Sequence, residues 1–580
     1  MNTPDLTDNT IYYRRSPKLS EPGCSYPGFH PGTEVLKKGT VYRPGHKPLS
    51  CDILVEWDVG IPVRDGVILY ADIFRPAGEE QVPAILNSTP FGKGAAGENP
   101  VLFPLSLEGE AIPGVPMAET SGLNTFEAVD PGFFVPHGYA VINLDMRGAF
   151  MSGGKNPYFG SQDAEDSYDV IEWLAARDWC SGAVTMSGNS WLGINQWFAG
   201  AVRPPHLACL APWEGWHDMY RDEYMVGGIA NYPGFRYNNV YNDDGMMEDV
   251  IACCAQHPFF DAYWEDKQAK AENINVPLYV TASWSSNVHC QGTFAAWRKV
   301  PVEEKWLRVH NTQEWGDTVR HQDELLRFFD RYMKHIDNGW EDTPKIRISV
   351  LDPGGSDLVE RVEDSFPLER RELLPLYLNA DTMTLGTEAP QAERQCGYVG
   401  CSDEILRFET HFTEETELVG YMNAVLWVEC DGYNEMDLFL RVAKVDKDGN
   451  LLRHYMHPGN DKFGADGYCG PTTRQRVSLR KLDPARSAPD EPYHPFNEPQ
   501  KLHPGEIVEV QCGLFPTGLR FHPGEGLILE ISGSPFYELP TGYNPNVRVG
   551  TDNNGRHIIH TGGAFPSRLI VPRIPVEPEA

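Results

Sequence analysis

No stretch of this chain approaches 18 uninterrupted apolar residues, which excludes a transmembrane helix. The N-terminus, MNTPDLTDNTIYYRRSP, lacks the basic-then-apolar pattern of an export signal, so a cytoplasmic protein is expected. Twelve cysteines are scattered without a CxxC pair or zinc spacing, and without an export signal they are expected to be reduced and mostly buried. Positive charge is scarce. Lys and Arg total 49 against 82 Asp and Glu, a net charge of −33. Such a surface disfavours nucleic acid and anionic membranes but does not specify a fold. Repetition is also slight: HPGE occurs twice, at His503 and His522, as one turn used twice.

What is present is ample apolar content, 41% of 580 residues, too long a chain for one core and enough for two or three domains. Residues 1–50 are rich in Pro and Gly and read as an irregular arm. Over 51–212 and 273–345, short apolar runs (68–74, 82–86, 139–144, 183–186, 207–211, 277–281, 306–309) alternate with helical patterns (164–177 and the run after Ser190). Leu325, Phe328, Phe329, Tyr332 and Ile336 mark a last helix. Strand alternating with helix predicts an α/β domain with a mainly parallel sheet covered on both faces. Residues 213–272 are aromatic and helical without a clear strand, and read as an insertion over the sheet. Residues 346–580 lose the helices and show short alternating strands such as 424–428, 437–445 and 527–531, which predicts an all-β sandwich of jelly-roll type.

The stretch GAVTMSGNSWLGINQ, 182–196, places Ser190 after a buried strand and before an amphipathic helix. Strand, tight turn, serine and helix form the layout of a nucleophile elbow, although G-x-S-x-x-G is looser than G-x-S-x-G. The helix N-terminus and the Trp191 amide would face a developing oxyanion.

The chain resembles the cocaine esterase and X-prolyl dipeptidyl-peptidase-like (CocE/NonD) serine hydrolases. The resemblance is carried by RDGVILYADIFRP (64–76), GYAVINLDMRG (138–148), DVIEWLAARDWCSGAVTMSGNSWLG (169–193) and FHPGEGLILEISGSPF (521–536). It implies an α/β-hydrolase domain, a helical cap and a C-terminal jelly roll, with Ser190 as the acylated residue. In this fold the order is serine, acid, histidine. His310, ending KWLRVH, stands where the base is expected; His321 and His289 are the rivals. Related enzymes carry an aspartate in a G-W-x-D stretch, but here YVTASWSSNVHCQGTF puts Ser286 at that point. The acid therefore comes from elsewhere. Glu214, three residues beyond Ala211, is favoured; Asp218 and an uncharged Asn287 or Ser286 are the alternatives, and Glu214 could instead pair with Arg221. The related enzymes also present Tyr after an early strand as an oxyanion donor. Here NSTPFGKG has Phe91, so either a backbone amide near Phe91–Gly92 or another residue must substitute. Loss of one such donor typically costs about 100- to 1000-fold in rate.

Trp213, Trp216, Trp284 and Asn287 are candidate walls of the substrate pocket, suited to a bulky apolar acyl ester or amide. Alternatively, Glu214, Asp218, Asp222 and Glu223 could capture an amine. No metal and no cofactor are expected: the H-x-x-H pairs His454/His457 and His557/His560 lie in β-rich sequence, where residues three apart point to opposite faces. The partner expected is a small-molecule ester or amide, with homo-oligomerisation open. The leading reading is a serine hydrolase. An acyltransferase on the same serine and a catalytically silent binding protein are the competing ones.

Overall fold

The computed structural model describes residues 5–22, 24, 26–78, 80–94, 109–112, 114–230, 240–286, 288–455, 467–536 and 553–575. The N-terminal half is built on an 11-stranded sheet. In chain order its strands are β1 (Gly32–Leu36), β2 (Ile53–Pro62), β3 (Ile68–Pro76), β4 (Val82–Thr89), β5 (Ala140–Asp145), β6 (Cys180–Asn189), β7 (Leu207–Trp213), β8 (Leu278–Ser283), β9 (Lys305–His310), β10 (Ile346–Val350) and β11 (Leu358–Glu363). The spatial order is β11-β10-β9-β8-β7-β6-β4-β5-β3-β2-β1. From β10 to β5 every pairing is parallel, and the flanks are antiparallel. The centre is parallel because its strands are buried on both faces: β4, β5 and β8 are buried at every residue.

Helices cover both faces. They are α1 (Ser161–Ala175), α2 (Trp191–Ala201), α3 (Cys290–Lys299), α4 (Glu314–Arg320) and α5 (Gln322–Met333). In α5 the residues Leu325, Phe328, Phe329 and Met333 face the core at helical spacing. The helix stops at Met333, so Ile336 lies beyond it and is exposed.

Two expectations are corrected. The N-terminal arm is not wholly irregular. Gly32–Leu36 adds an edge strand to the sheet, and Tyr13–Arg15 pairs with Met246–Glu248, which also pairs with Lys155–Asn156. The insertion therefore contains a strand, in addition to short helices at Val250–Gln256 and Ala262–Asp266.

The C-terminal half is a β-sandwich that begins at Glu372, later than the expected 346, because Ile346–Val350 and Leu358–Glu363 complete the first sheet; ten of its eleven strands lie on one path, and Thr416–Asp431 pairs with Val508–Phe521, Arg556–Thr561 and Arg568–Ile574. Both HPGE stretches make the same turn: the His503 amide donates to Glu506 Oε2 at 2.9 Å and the His522 amide to Glu525 Oε2 at 2.7 Å. The halves do not keep separate cores. One continuous apolar cluster runs from Leu210, Val280 and Phe294 to Leu418, Leu440 and Leu529. No described helix is long and apolar enough to cross a membrane.

Candidate active site

Strand β6 ends at Asn189, and Ser190 follows with φ 53° and ψ −116°, a sharply constrained conformation for a residue bearing a side chain. The bend is held from beneath, where the Ser190 amide donates to the carbonyls of Trp213 (3.1 Å) and Glu214 (3.2 Å). Two glycines permit the close approach. A Cβ on Gly188, where φ is 131°, would lie 2.5 Å from Leu192 Cβ; one on Gly193 would lie 2.7 Å from the Trp213 carbonyl oxygen. Ser190 retains partial exposure although its neighbours are buried.

Strand β7 delivers Glu214 immediately beyond its end, at φ 43°, and β9 delivers His310 as its last residue. These side chains meet: His310 Nε2 is 2.6 Å from Glu214 Oε1. Glu214 Oε2 also accepts from Ser283 Oγ at 3.1 Å. Glu214 is 1% exposed and His310 4%, so the pair is shielded from water. Burial alone would raise the Glu214 pKa, but the His310 charge and hydrogen bond outweigh it and hold the carboxyl below its ordinary range. Burial likewise opposes a charged imidazole, yet Asp317 and Glu214 raise the His310 pKa. His310 Nδ1 is buried without a hydrogen-bond partner.

Of the rivals, Asp218, Arg221, Asp222 and His321 are engaged elsewhere. Arg221 pairs with Asp218 at 2.9 Å, not with Glu214. Asp222 accepts from His217 at 3.0 Å. His321 lies 3.1 Å from Asp317, which also holds Arg308. His289 sits near Glu214, and burial takes its pKa down to about 4. Ser286 Oγ accepts the His289 amide at 3.3 Å and so serves the start of α3. Asn287 lies outside the described residues, as does His457. His454 Nε2 is 3.0 Å from the Asn311 carbonyl and His560 Nε2 3.0 Å from Glu429, while both His557 nitrogens are buried without partners. Metal-type ligand atoms converge at Asp352, His522 and Glu525, but Lys444 Nζ already bridges the two carboxylates at 2.6 and 2.7 Å.

The aromatic wall must be redrawn. Trp213 packs in the core beneath the sheet with Tyr279, Leu325 and Phe328. Trp284 faces the β-sandwich, stacked on Phe294 with ring centroids 4.7 Å apart and donating to the Ser349 carbonyl at 2.6 Å. Trp216 is buried edge-on against Phe159 at 4.9 Å. All three were expected at the pocket because they are large and aromatic; their faces are used for packing instead. Trp191 is packed against Phe159 (4.4 Å) and Tyr158 (4.7 Å) and retains its amide at the start of α2. The Phe91 amide donates to Thr89 Oγ1 at 3.1 Å, so it is committed to its own turn instead of facing the oxyanion.

Two residues not anticipated enter the site. Glu314, at the start of α4, accepts from Asn189 Nδ2 at 3.3 Å and hydrogen-bonds to Glu214; burial, followed by the charges of Glu214 and Glu127, raises its pKa well above the ordinary range. Glu127, at φ 67°, lies beside the Ser190 hydroxyl and the Trp191 amide. Its Oε1 accepts from Trp315 Nε1 at 3.1 Å. Glu314 and Trp315 lie in the polar run after His310, a usable signal; NTFEAVDPG around Glu127 offers none.

Residues 65–247 match the family model of the X-Pro dipeptidyl-peptidase (S15 family), and residues 338–570 match that of the X-Pro dipeptidyl-peptidase C-terminal non-catalytic domain. Cocaine esterase from Rhodococcus sp. (strain MB1 Bresler) is 22% identical over 89% of this chain and 98% of its own. A solved CocE/NonD family hydrolase from Staphylococcus aureus is 31% identical, covering 94% of this chain and 97% of its own with a TM-score of 0.83. An alpha-amino acid ester hydrolase, 18% identical over 92% of this chain and 98% of its own with a TM-score of 0.65, shares the fold.

Proposed function

This chain belongs to the CocE/NonD family of hydrolases, and we propose that it cleaves an ester or amide bond of a small organic substrate through an acyl-enzyme on Ser190, with His310 as base and Glu214 as the acid that holds it. The observation carrying this reading is the 2.6 Å contact between His310 Nε2 and Glu214 Oε1, at the ends of β9 and β7 on the same sheet edge as the Ser190 bend.

A serine hydroxyl attacks a carbonyl only when a base removes its proton. In this reading Glu214 holds the Nε2 side of the ring through the 2.6 Å contact, and Nδ1 receives the Ser190 proton. Glu214 then stabilises the imidazolium that forms. Water repeats the sequence to release the acid. The helix α2 N-terminus directs the Trp191 amide at the oxygen that gains charge.

A fluorophosphonate, which reports nucleophile activation without requiring a known substrate, tests the assignment. Ser190 should be the labelled residue. Ser190→Ala and His310→Ala should abolish labelling, and His321→Ala should retain it. Labelling that survives His310→Ala would remove the base from this reading.

A further inference from the structure

The proposed reaction needs a second oxyanion donor. Phe91 has no hydroxyl, and its amide already serves Thr89. The segment packed against that turn can supply the missing group. Thr125 Oγ1 donates to the Gly92 carbonyl at 2.7 Å, and Phe126 meets the Phe91 ring edge-on at 5.0 Å. The Asn189 amide donates to the Glu127 carbonyl at 2.9 Å, which locks the next residue to the nucleophile strand. The Glu127 side chain then reaches the place bounded by the Ser190 hydroxyl and the Trp191 amide. Trp315 holds Oε1, while Oε2 is buried with no partner in hydrogen-bond geometry.

Resting on the reading of Ser190 as nucleophile, we propose that Glu127, as a neutral carboxylic acid, is the second oxyanion donor and works with the Trp191 amide in place of the missing tyrosine hydroxyl. When Ser190 Oγ bonds to the carbonyl carbon, the π pair moves onto oxygen and the Ser190 proton passes to His310. Glu127 donates a hydrogen bond to that oxygen and keeps its proton. On collapse the pair returns, the bond to the leaving group breaks, and His310 gives its proton to the leaving atom.

The surroundings favour the acid over the carboxylate. The Trp315 indole, the Ser190 hydroxyl and the Trp191 amide hydrogen-bond to the carboxyl and favour its charged form, but burial outweighs them, and Glu314 on α4, whose own pKa the Glu127 charge helps raise, brings no positive charge. No cation contacts the Glu127 carboxyl among the described residues, and burial pushes its pKa up to about 8. A carboxylate there would repel the oxyanion; a carboxylic acid held neutral by an apolar site can donate to it.

The test is the second-order rate of Ser190 phosphonylation by a fluorophosphonate, measured against pH for the wild type, E127Q and E127A. E127A should lose about 100- to 1000-fold. E127Q, whose amide N–H also donates, should stay within about tenfold of wild type. Wild type should lose rate as pH rises through about 8, and E127Q should lack that alkaline limb. Thermal melting of both variants separates a local effect from misfolding. An E127A rate equal to or above wild type would make the carboxyl an obstacle and overturn the proposal. So would an alkaline limb that persists in E127Q, or E127Q as slow as E127A. A wild type that is not labelled at Ser190 at all sinks the parent reading, and this inference with it; a labelled wild type with an unaffected E127A sinks this inference alone.

Discussion

Two buried carboxyl clusters flank the Phe91 turn, and they neutralise their charge differently. Behind the turn, Asp58 and Asp72 surround Lys93 Nζ at 2.6 and 2.8 Å, and Asp145 Oδ1 accepts the Lys93 amide at 2.7 Å. Burial disfavours the ammonium, but the aspartates outweigh it and raise its pKa. In front, Glu214 contacts His310 at 2.6 Å, Glu314 hydrogen-bonds to Glu214, and the Glu127 charge helps raise the Glu314 pKa. Each cluster brings carboxyls against a basic group. The difference lies in that group. Lys93 remains charged throughout the physiological range, so its cluster is a fixed anchor for the turn. His310 can change charge within that range, so its cluster can exchange protons and still retain its geometry.

The sharpest way to break the symmetry is to remove one charged partner from each cluster. Glu214→Gln should slow acylation by roughly 10,000-fold, because the imidazole loses the charge that orients and stabilises it; pre-steady-state labelling of Ser190 measures this. Lys93→Met should leave buried carboxyls uncompensated and destabilise the fold by about 3–5 kcal/mol, read by denaturant unfolding. A small loss there would mean that the rear cluster is not held by charge. A subtler difference appears in the pH dependence of stability. The Glu127 pKa is raised from 4.5 to about 8, so the folded state keeps a proton that the unfolded chain releases. Its contribution is fully present below 4.5 and falls as pH rises towards about 8, then levels off; because Asp145 and Glu223 are also raised to about 8, Glu127→Gln should lessen the fall in melting temperature over that range without abolishing it. The smallest effect belongs to Glu314→Gln. An amide replaces a carboxyl that is already neutral, so phosphonylation should change less than about tenfold, and a larger loss would mean that Glu314 carries charge in the working state.

The elbow was legible because its cause is local. A buried run, two glycines that a Cβ would jam, and an amphipathic helix all lie within 182–201. The contact of Glu214 with His310 was foreshadowed by position, three residues beyond the run ending at Ala211, with Asp218 and Asn287 or Ser286 as alternatives because YVTASWSSNVHCQGTF offers no carboxylate. Glu127 was not, because what aims it is a contact set spread over the sequence: Phe91 on Phe126, Gly92 with Thr125, Asn189 with Glu127. The aromatic wall misled for a related reason. Composition shows that Trp213 and Trp284 are large and apolar, but only the strand and turn that carry them decide which side they face. The short strand at Tyr13–Arg15 is likewise invisible alone, since its partner at Met246–Glu248 is over two hundred residues away.

The indole of Trp284 has one further consequence. It donates to the Ser349 carbonyl on β10 of the first sheet and presses on Gly518 of the second half, where a Cβ would lie 2.8 Å from its Nε1. The Leu351 amide then donates to the Gly518 carbonyl and the Arg520 amide to the Leu351 carbonyl, knitting the two halves through their main chains. The second half is therefore no detachable cassette. Severed near residue 345, the first would lose two strands of its own sheet and uncover the Trp284–Phe294 stack to solvent, so the two halves are to be engineered as one unit.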